Sequence, residues 1–368
     1  MIESNGNASI RIGVVGLGFA GETAIRGFQN VPGAEVVALA GLEEDRLASL
    51  GETYGIPHRY HSYEELVAHE GLDAISIGVP NMLHAPVALA ALERGLHVLC
   101  EKPLAGTLED AEQMVRAARR VNRVLQVVFN HRERADIQLL KQYIDDGELG
   151  EIYYAKASWM RRAGIPGVGS WFVNKQLAGG GPLIDLGVHV LDLALYLMGE
   201  PSALTVSAST YQELGSRGIG FNRHAQKHGS EHLYEVEDLA SAFMRLSNGA
   251  TLLLEASWAT HSSAQDDYGI ILYGTRGGAE IRVRNYTTEN TLTIYTERAG
   301  TPVDLHPHTR GGEFHAAVTR QFIKQIQSGA WSGMDGSEGL RRARIIEACY
   351  TSAARKQEIV LEEKEAEL

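Results

Sequence analysis

The chain has 368 residues, a length that suits about two domains, and its 44% hydrophobic and 22% charged composition is that of a globular protein with real cores. Thirty-four Lys and Arg against 46 Asp and Glu leave a net charge of −12, which argues against nucleic acid or an anionic bilayer as the main partner, because both are held chiefly by excess cations. The two cysteines, Cys100 and Cys349, supply neither a disulfide scaffold nor a cysteine-built zinc site. No apolar run reaches about 18 residues and the polar start lacks the regions of a signal peptide, so the expectation is a soluble, cytoplasmic chain.

Residues 10–16 are a short apolar run closed by glycine, and 35–40 are a second; both read as buried parallel strands, with helices predicted over 22–30, 44–54 and 62–70. Ser62 is placed to cap the last of these toward Glu65. Strands at 74–79, 97–100 and 125–129 alternate with helices at 85–94 and 108–120, and such alternation predicts a doubly wound, mostly parallel Rossmann sheet, an α/β domain over 1–129. From 130 the pattern changes. A helix at 136–145 precedes strands at 152–160, 203–210, 239–246, 250–258, 269–273, 279–283 and 291–296, with a hairpin at Ser247-Asn248-Gly249. Residues 130–368 are therefore expected to form an α+β domain on an open antiparallel sheet, one face of which a second subunit would cover. The polar segment 212–231 is either a loop beside the site or a surface excursion without a role. Helices at 313–328 and 337–355 lead to an acidic tail expected to be solvated.

Gly16-Leu17-Gly18-Phe19-Ala20-Gly21 is a G-x-G-x-x-G directly after an apolar strand and opening a helix. Gly16 serves the tight turn, Gly18 lets backbone approach a pyrophosphate, and Gly21 lets helix and strand pack closely, while the helix N-terminus offers amide donors. This context predicts dinucleotide binding; a structural turn is the alternative. The acid that normally follows the second strand is replaced by Gly41. Leu42, Glu43, Glu44 and Asp45 come next, an acidic run that disfavours a ribose 2′-phosphate and leans toward NAD over NADP, with Arg46 the nearby cation; a solvated helix start explains the same residues.

Glu101-Lys102-Pro103 ends a strand at the carboxyl edge of the sheet, where ligands bind in such folds. Lys102 there is placed to donate to a substrate hydroxyl or alkoxide, with Pro103 aiming it. In the block 179–192, three glycines and Pro182 precede a helix that carries Asp185 and His189 at i and i+4 on one face. Three ionisable groups amid so many apolar residues are costly unless paired or used, and His189 is suited to act as general base on a carbinol as hydride leaves. Asp192 could hold the imidazole tautomer. A helix pair that merely staples the core, or a metal site, are the competing readings; no further metal-ligand motif accompanies them.

In this order, the glycine fingerprint, Pro80-Asn81-Met82-Leu83-His84, Glu101-Lys102-Pro103, Gly147-Glu148-Leu149-Gly150-Glu151 and the 179–192 block resemble the glucose-fructose oxidoreductase, inositol dehydrogenase and rhizopine-catabolism (Gfo/Idh/MocA) superfamily. The resemblance spans nearly the whole chain. It implies a Rossmann domain joined to an open-sheet domain, homodimers or homotetramers built through that sheet, and oxidation of a ring hydroxyl of a sugar or polyol with NAD or NADP. Carried over by motif, Lys102, Asp185 and His189 are its catalytic set, with a cis peptide before Pro103. Pro80, Asn81, His84 and Glu101, with Lys102, border the cofactor together with Gly16, Gly18, Phe19, Ala20, Gly21, Gly41 and Leu42. Arg161, Arg162 and Trp171 fall where relatives contact substrate, and Asn130 and Arg132, leaving the last Rossmann strand, are expected to reach the same cleft. For Arg161 and Arg162 a surface ion pair is the other reading.

The leading expectation is thus a dehydrogenase for a cyclic sugar, sugar derivative or inositol, without a metal. The competing functions are a redox-neutral enzyme that keeps its dinucleotide and cleaves glycosides by transient oxidation, and a non-catalytic dinucleotide sensor.

Overall fold

A computed structural model describes residues 9–167, 169–222 and 234–361. Two compact units divide the chain, one built from the described parts of 1–130 with 314–340, the other from 131–313 with the segment after 340.

The first unit contains β1 (Ile10–Val15), α1 (Phe19–Gln29), β2 (Ala34–Ala40), α2 (Glu44–Tyr54), β3 (His58–Tyr60), α3 (Tyr63–Val67), β4 (Ala74–Ile77), α4 (His84–Glu93), β5 (His97–Cys100), α5 (Leu108–Val121) and β6 (Leu125–Val127). All strands pair in parallel, in the order β3-β2-β1-β4-β5-β6. This is the doubly wound order, whose topological switch point lies between β1 and β4, at the end of β1 where the glycine turn begins. The predicted cap forms: the Glu65 amide donates to Ser62 Oγ at 3.2 Å. The three-residue edge strand β3 is too short and polar to show periodicity and is new relative to the pattern.

In the second unit come α6 (Ala135–Asp145), β7 (Ile152–Arg161), α7 (Lys175–Ala178), a π turn (Leu183–Gly187), α8 (Val188–Leu197), β8 (Ala203–Tyr211), β9 (Leu239–Leu246), β10 (Thr251–Ser257), β11 (Asp266–Gly274), β12 (Gly278–Arg284), β13 (Leu292–Arg298) and β14 (Thr301–Leu305). Helix α9 (Phe314–Ser328) follows, then α10 (Ser337–Arg355) and β15 (Ile359–Val360). The sheet runs β14-β13-β12-β11-β7-β10-β9-β8-β15. It is mixed rather than antiparallel, because β7 and β10 pair in parallel. After β7 the chain leaves through α7 and α8 and re-enters at β8, so the β8-β9-β10 meander returns to β7 pointing the same way. On one face Ala155, Ala157, Trp159, Leu252, Leu254 and Ala256 are buried against α8, whose own residues from Val188 to Leu195 are all buried.

The expected domain limits need one correction. Residues 314–340 pack with the first unit, because α9 lays Val318, Phe322, Ile323 and Ile326 into the core of Ile25 and Phe28 on α1. Gly27 permits that approach, since a Cβ there would meet Thr319 Oγ1 at 2.8 Å. The part of the 212–231 loop from 223 onward, and the acidic tail from 362, lie outside the described residues.

Candidate active site

In the first unit the site begins where β1 ends. Gly16 has φ +100°, and a Cβ on it would meet the Gly78 carbonyl oxygen at 2.2 Å; a Cβ on Gly21 would meet Gly16 O at 1.9 Å. Only glycine lets the turn, the end of β4 and the first turn of α1 close on one another in this way. Gly18, the N-cap of α1, has nothing within 4 Å of its missing side chain and no side-chain cap bond. An uncapped helix start beside an open backbone face fits the pyrophosphate of a dinucleotide. Phe19 and Leu42 are strongly exposed beside it.

The Lys102–Pro103 peptide is cis. The segment is braced by His84, whose Nδ1 lies 2.8 Å from Pro103 O and whose Nε2 lies 3.0 Å from Val79 O. Burial, and secondarily the charge of Lys102, hold that imidazole below its ordinary pKa. Glu101 is pushed up to about 7 by burial, with the ammonium of Lys102 opposing. His315, from the start of α9, comes within 3.9 Å of Glu101 and sets its ring edge-on to Phe19, centroids 6.5 Å apart. Burial first and Lys102 second lower its pKa to about 4, so it is neutral under ordinary conditions.

In the second unit the glycines of the 179–192 block serve close packing. A Cβ on Gly180 would meet Tyr350 Oη at 2.0 Å, and one on Gly181 would meet Glu237 O at 2.2 Å. The carboxylate of Glu237, which no motif marked, reaches into this space and accepts from the Gly181 and Leu183 amides (2.9 and 3.1 Å) and from Tyr350 Oη (2.9 Å). It thereby caps the helix that carries Asp185 and His189. The first turn of that helix is π rather than α, the kind of irregularity that collects at functional sites. Asp185 accepts from Trp258 Nε1 at 3.0 Å.

His189 is nearly buried among rings: His131 lies 4.7 Å away and Trp159 5.7 Å away, centroid to centroid. His131 is held in turn by Tyr268, whose hydroxyl is 3.2 Å from its Nδ1, and Tyr268 stacks on Trp159 at 4.4 Å. Trp159 Nε1 donates to Asp266 at 2.7 Å, Asp266 accepts from Arg161 Nε at 2.9 Å, and Arg161 donates to the Tyr286 hydroxyl at 2.6 Å. Burial works against the charge of Arg161, but Tyr286, Asp266 and Asp185 outweigh it and raise its pKa. Arg161 is therefore electrostatically coupled to Asp185.

These features have counterparts in known proteins. Residues 10–129 match the Gfo/Idh/MocA model described as an oxidoreductase family with an NAD-binding Rossmann fold, and 137–280 match the C-terminal domain model of the same family. The D-glucoside 3-dehydrogenase of Escherichia coli K12 is 31% identical over 350 residues, covering 94% of this chain and 96% of that protein.

The chain belongs to the Gfo/Idh/MocA oxidoreductase family.

Levoglucosan dehydrogenase of Pseudarthrobacter phenanthrenivorans is 28% identical, over 95% of this chain and 97% of its own. A solved structure of levoglucosan dehydrogenase, in complex with NADH and L-sorbose, shares the fold with a TM-score of 0.84 at 24% identity, covering 96% of this chain and 99% of that one.

Within this Gfo/Idh/MocA chain several expected site residues have other work. His84 is 1% exposed, its ring lying between the Pro103 and Val79 carbonyl oxygens, to one of which the neutral imidazole donates, so it braces the lysine segment. Arg132 forms a bidentate pair with Asp192, at 2.8 and 2.6 Å, and lies over the Tyr196 ring, which removes it from substrate contact. Asp192, 2% exposed, is also bound by Arg342 Nε at 2.9 Å, so two guanidinium groups compensate its buried charge. Arg162 is exposed, its backbone amide on Gln265, while Trp171 stacks on Phe172 at 3.8 Å. Asn81 and Asn130 are both buried, and Pro80 caps the short turn that Asn81 begins. Gly41 is enforced by packing: a Cβ there would sit 2.3 Å from Leu17 Cδ1.

Glu237, Trp258, Asp266, Tyr268, Tyr286 and His315 escaped the sequence reading. Each meets a partner tens to hundreds of residues away in the chain. The one available signal is the acid pair Glu237-Asp238 placed immediately before an apolar strand.

Proposed function

We propose that this chain is a nicotinamide-dependent dehydrogenase that oxidises one ring hydroxyl of a sugar, sugar derivative or inositol. The observation that carries the reading is the Asp185–His189 helix, capped by a buried carboxylate, with half-buried Asp185 anchored by an indole and buried His189 packed against the His131 and Trp159 rings. The names of the D-glucoside and levoglucosan dehydrogenases support a sugar or anhydrosugar as substrate class. When bound, the dinucleotide supplies the hydride acceptor. His189 takes the hydroxyl proton as the carbinol is oxidised. Lys102 donates to the same oxygen and stabilises its developing negative charge. Asp185, held by Trp258, orients the ring, and Arg161 with Tyr286 lines the substrate side. The same reading assigns the outer face of the nine-stranded sheet to a second copy of the chain.

The test follows near-ultraviolet absorbance of the nicotinamide with NAD or NADP across sugars, anhydrosugars and inositols. Reduction with a few related rings is expected. His189→Ala should lower kcat by about 10² to 10⁴ while leaving cofactor binding intact. Silence across the panel with cofactor binding retained, or undiminished turnover in the variant, overturns the proposal.

A further inference from the structure

We infer that Glu22 makes this chain select a dinucleotide with a free 2′-hydroxyl, by holding Arg46 away from a 2′-phosphate. The inference rests on the reading of the glycine turn as a dinucleotide site and deepens it. In folds of this kind an acid at the end of the second strand binds the ribose hydroxyls, or a nearby arginine accommodates the 2′-phosphate. Here the acid is impossible, because Leu17, itself 4% exposed, fills the space above Gly41 and would stand 2.3 Å from a Cβ. Discrimination therefore falls to the cation.

Arg46 is in the first turn of α2, and its side chain turns back to the glycine turn, where Nε donates to Leu17 O at 3.0 Å. Its Nη2 pairs with Glu22 on α1. Glu22 also takes Arg26 and accepts from Tyr54 Oη at 2.8 Å. Hydrogen bonds from Arg26, Tyr54 and Arg46, in that order, lower its pKa to about 2, so it stays ionised under any working condition. Glu22 pairs with both Arg26 and Arg46, and the start of α2 adds three more acids, Glu43, Glu44 and Asp45. A dianionic 2′-phosphate brought here meets the carboxylate of Glu22, and Arg46 can turn the Nε–Nη2 edge of its fork toward it only by abandoning both of its present acceptors. A ribose with two hydroxyls asks for neither.

The experiment is direct binding of NADH and NADPH, read from nicotinamide fluorescence, to the intact chain and to Glu22→Gln, Arg46→Ala and the double variant. The wild type should bind NADH the more tightly. Glu22→Gln should release Arg46 and shift the NADPH-to-NADH affinity ratio toward NADPH by roughly tenfold, the scale of one charge-assisted contact. The double variant should return the ratio to the wild-type value, and Arg46→Ala alone should leave it unchanged, a result available even if Glu22→Gln fails to fold. Equal or tighter NADPH binding by the wild type, an unchanged ratio in folded Glu22→Gln, or selective loss of NADPH binding in Arg46→Ala each overturns the inference. Binding of neither cofactor by the wild type overturns the dinucleotide reading beneath it.

Discussion

Residue type marks a chemistry, and partners decide whether it is free to act. Histidine and arginine near a glycine turn or a catalytic helix look like ligands, yet His84 is held between two backbone carbonyls and Arg132 spends its fork on Asp192. Asp185 differs in kind, for it is only half-buried and is coupled to Arg161. Glu237 shows how much one unmarked residue supports. Replacing it with Ala leaves two backbone amides and the Tyr350 hydroxyl facing a space without an acceptor, and each buried donor left so costs about 1–3 kcal/mol. Glu237→Ala should therefore lose roughly 3 kcal/mol or more in urea unfolding, whereas Glu237→Gln, which keeps an acceptor oxygen, should recover much of it. Equal losses in the two variants would show that shape rather than hydrogen bonding is what the site requires.

Helices of the second unit are tied by charge as well as by apolar packing. Asp192 on α8 binds Arg132 and Arg342, and Glu200, just past α8, binds Arg342 at 2.6 and 2.7 Å and Arg341 at 3.3 Å, fastening α8 to α10. Burial raises the Glu200 carboxyl, but Arg342 and then Arg132 and Arg341 overcome this and bring it from 4.5 to about 2. The folded form thus gives up the proton more readily than the unfolded chain. The stability this group contributes is complete above pH 4.5 and disappears as pH falls toward 2, on the order of 3 kcal/mol across the window. Chemical denaturation followed from pH 6 to pH 2.5 should show that slope, and Glu200→Gln should flatten it; an unaltered slope would place the acid sensitivity elsewhere.

For the whole molecule the unresolved debt is the outer face of the nine-stranded sheet. It presents half-buried Met160, Phe243, Leu253 and Ile271 interleaved with charge, Lys156 on β7 lying in register between Leu253 and Ile271, with Glu255, Glu280 and Arg282 on the same face. Faces of this size and make-up on soluble proteins mark interaction surfaces. The proposed second copy is tested by light scattering after gel filtration: the chain should elute as a dimer or tetramer, and Leu253→Arg at the middle of β10 should shift it to monomer. A monomeric wild type would refute the assignment.

The alternation of apolar runs and helical stretches over the first 130 residues, and the glycine spacing that follows β1, sufficed to determine the Rossmann unit, because these signals are local and repeat at the period of the element they form. The same holds for the block containing Asp185 and His189, where ionisable residues in an apolar helix advertise a cost that must be met. Other features belong to tertiary structure alone. The parallel pairing of β7 with β10 depends on where a long connection re-enters the sheet, and α9 joins the first unit because its apolar stripe fits α1, a choice no window of sequence contains. Glu237, Trp258 and Tyr268 reach the Asp185–His189 helix and its neighbouring rings, and His315 reaches Glu101 in the first unit, only when segments far apart in the chain fold together. Gly41 is the plainest case: in the sequence it is an acid gone missing, and in the fold it is the only residue that leaves room for Leu17.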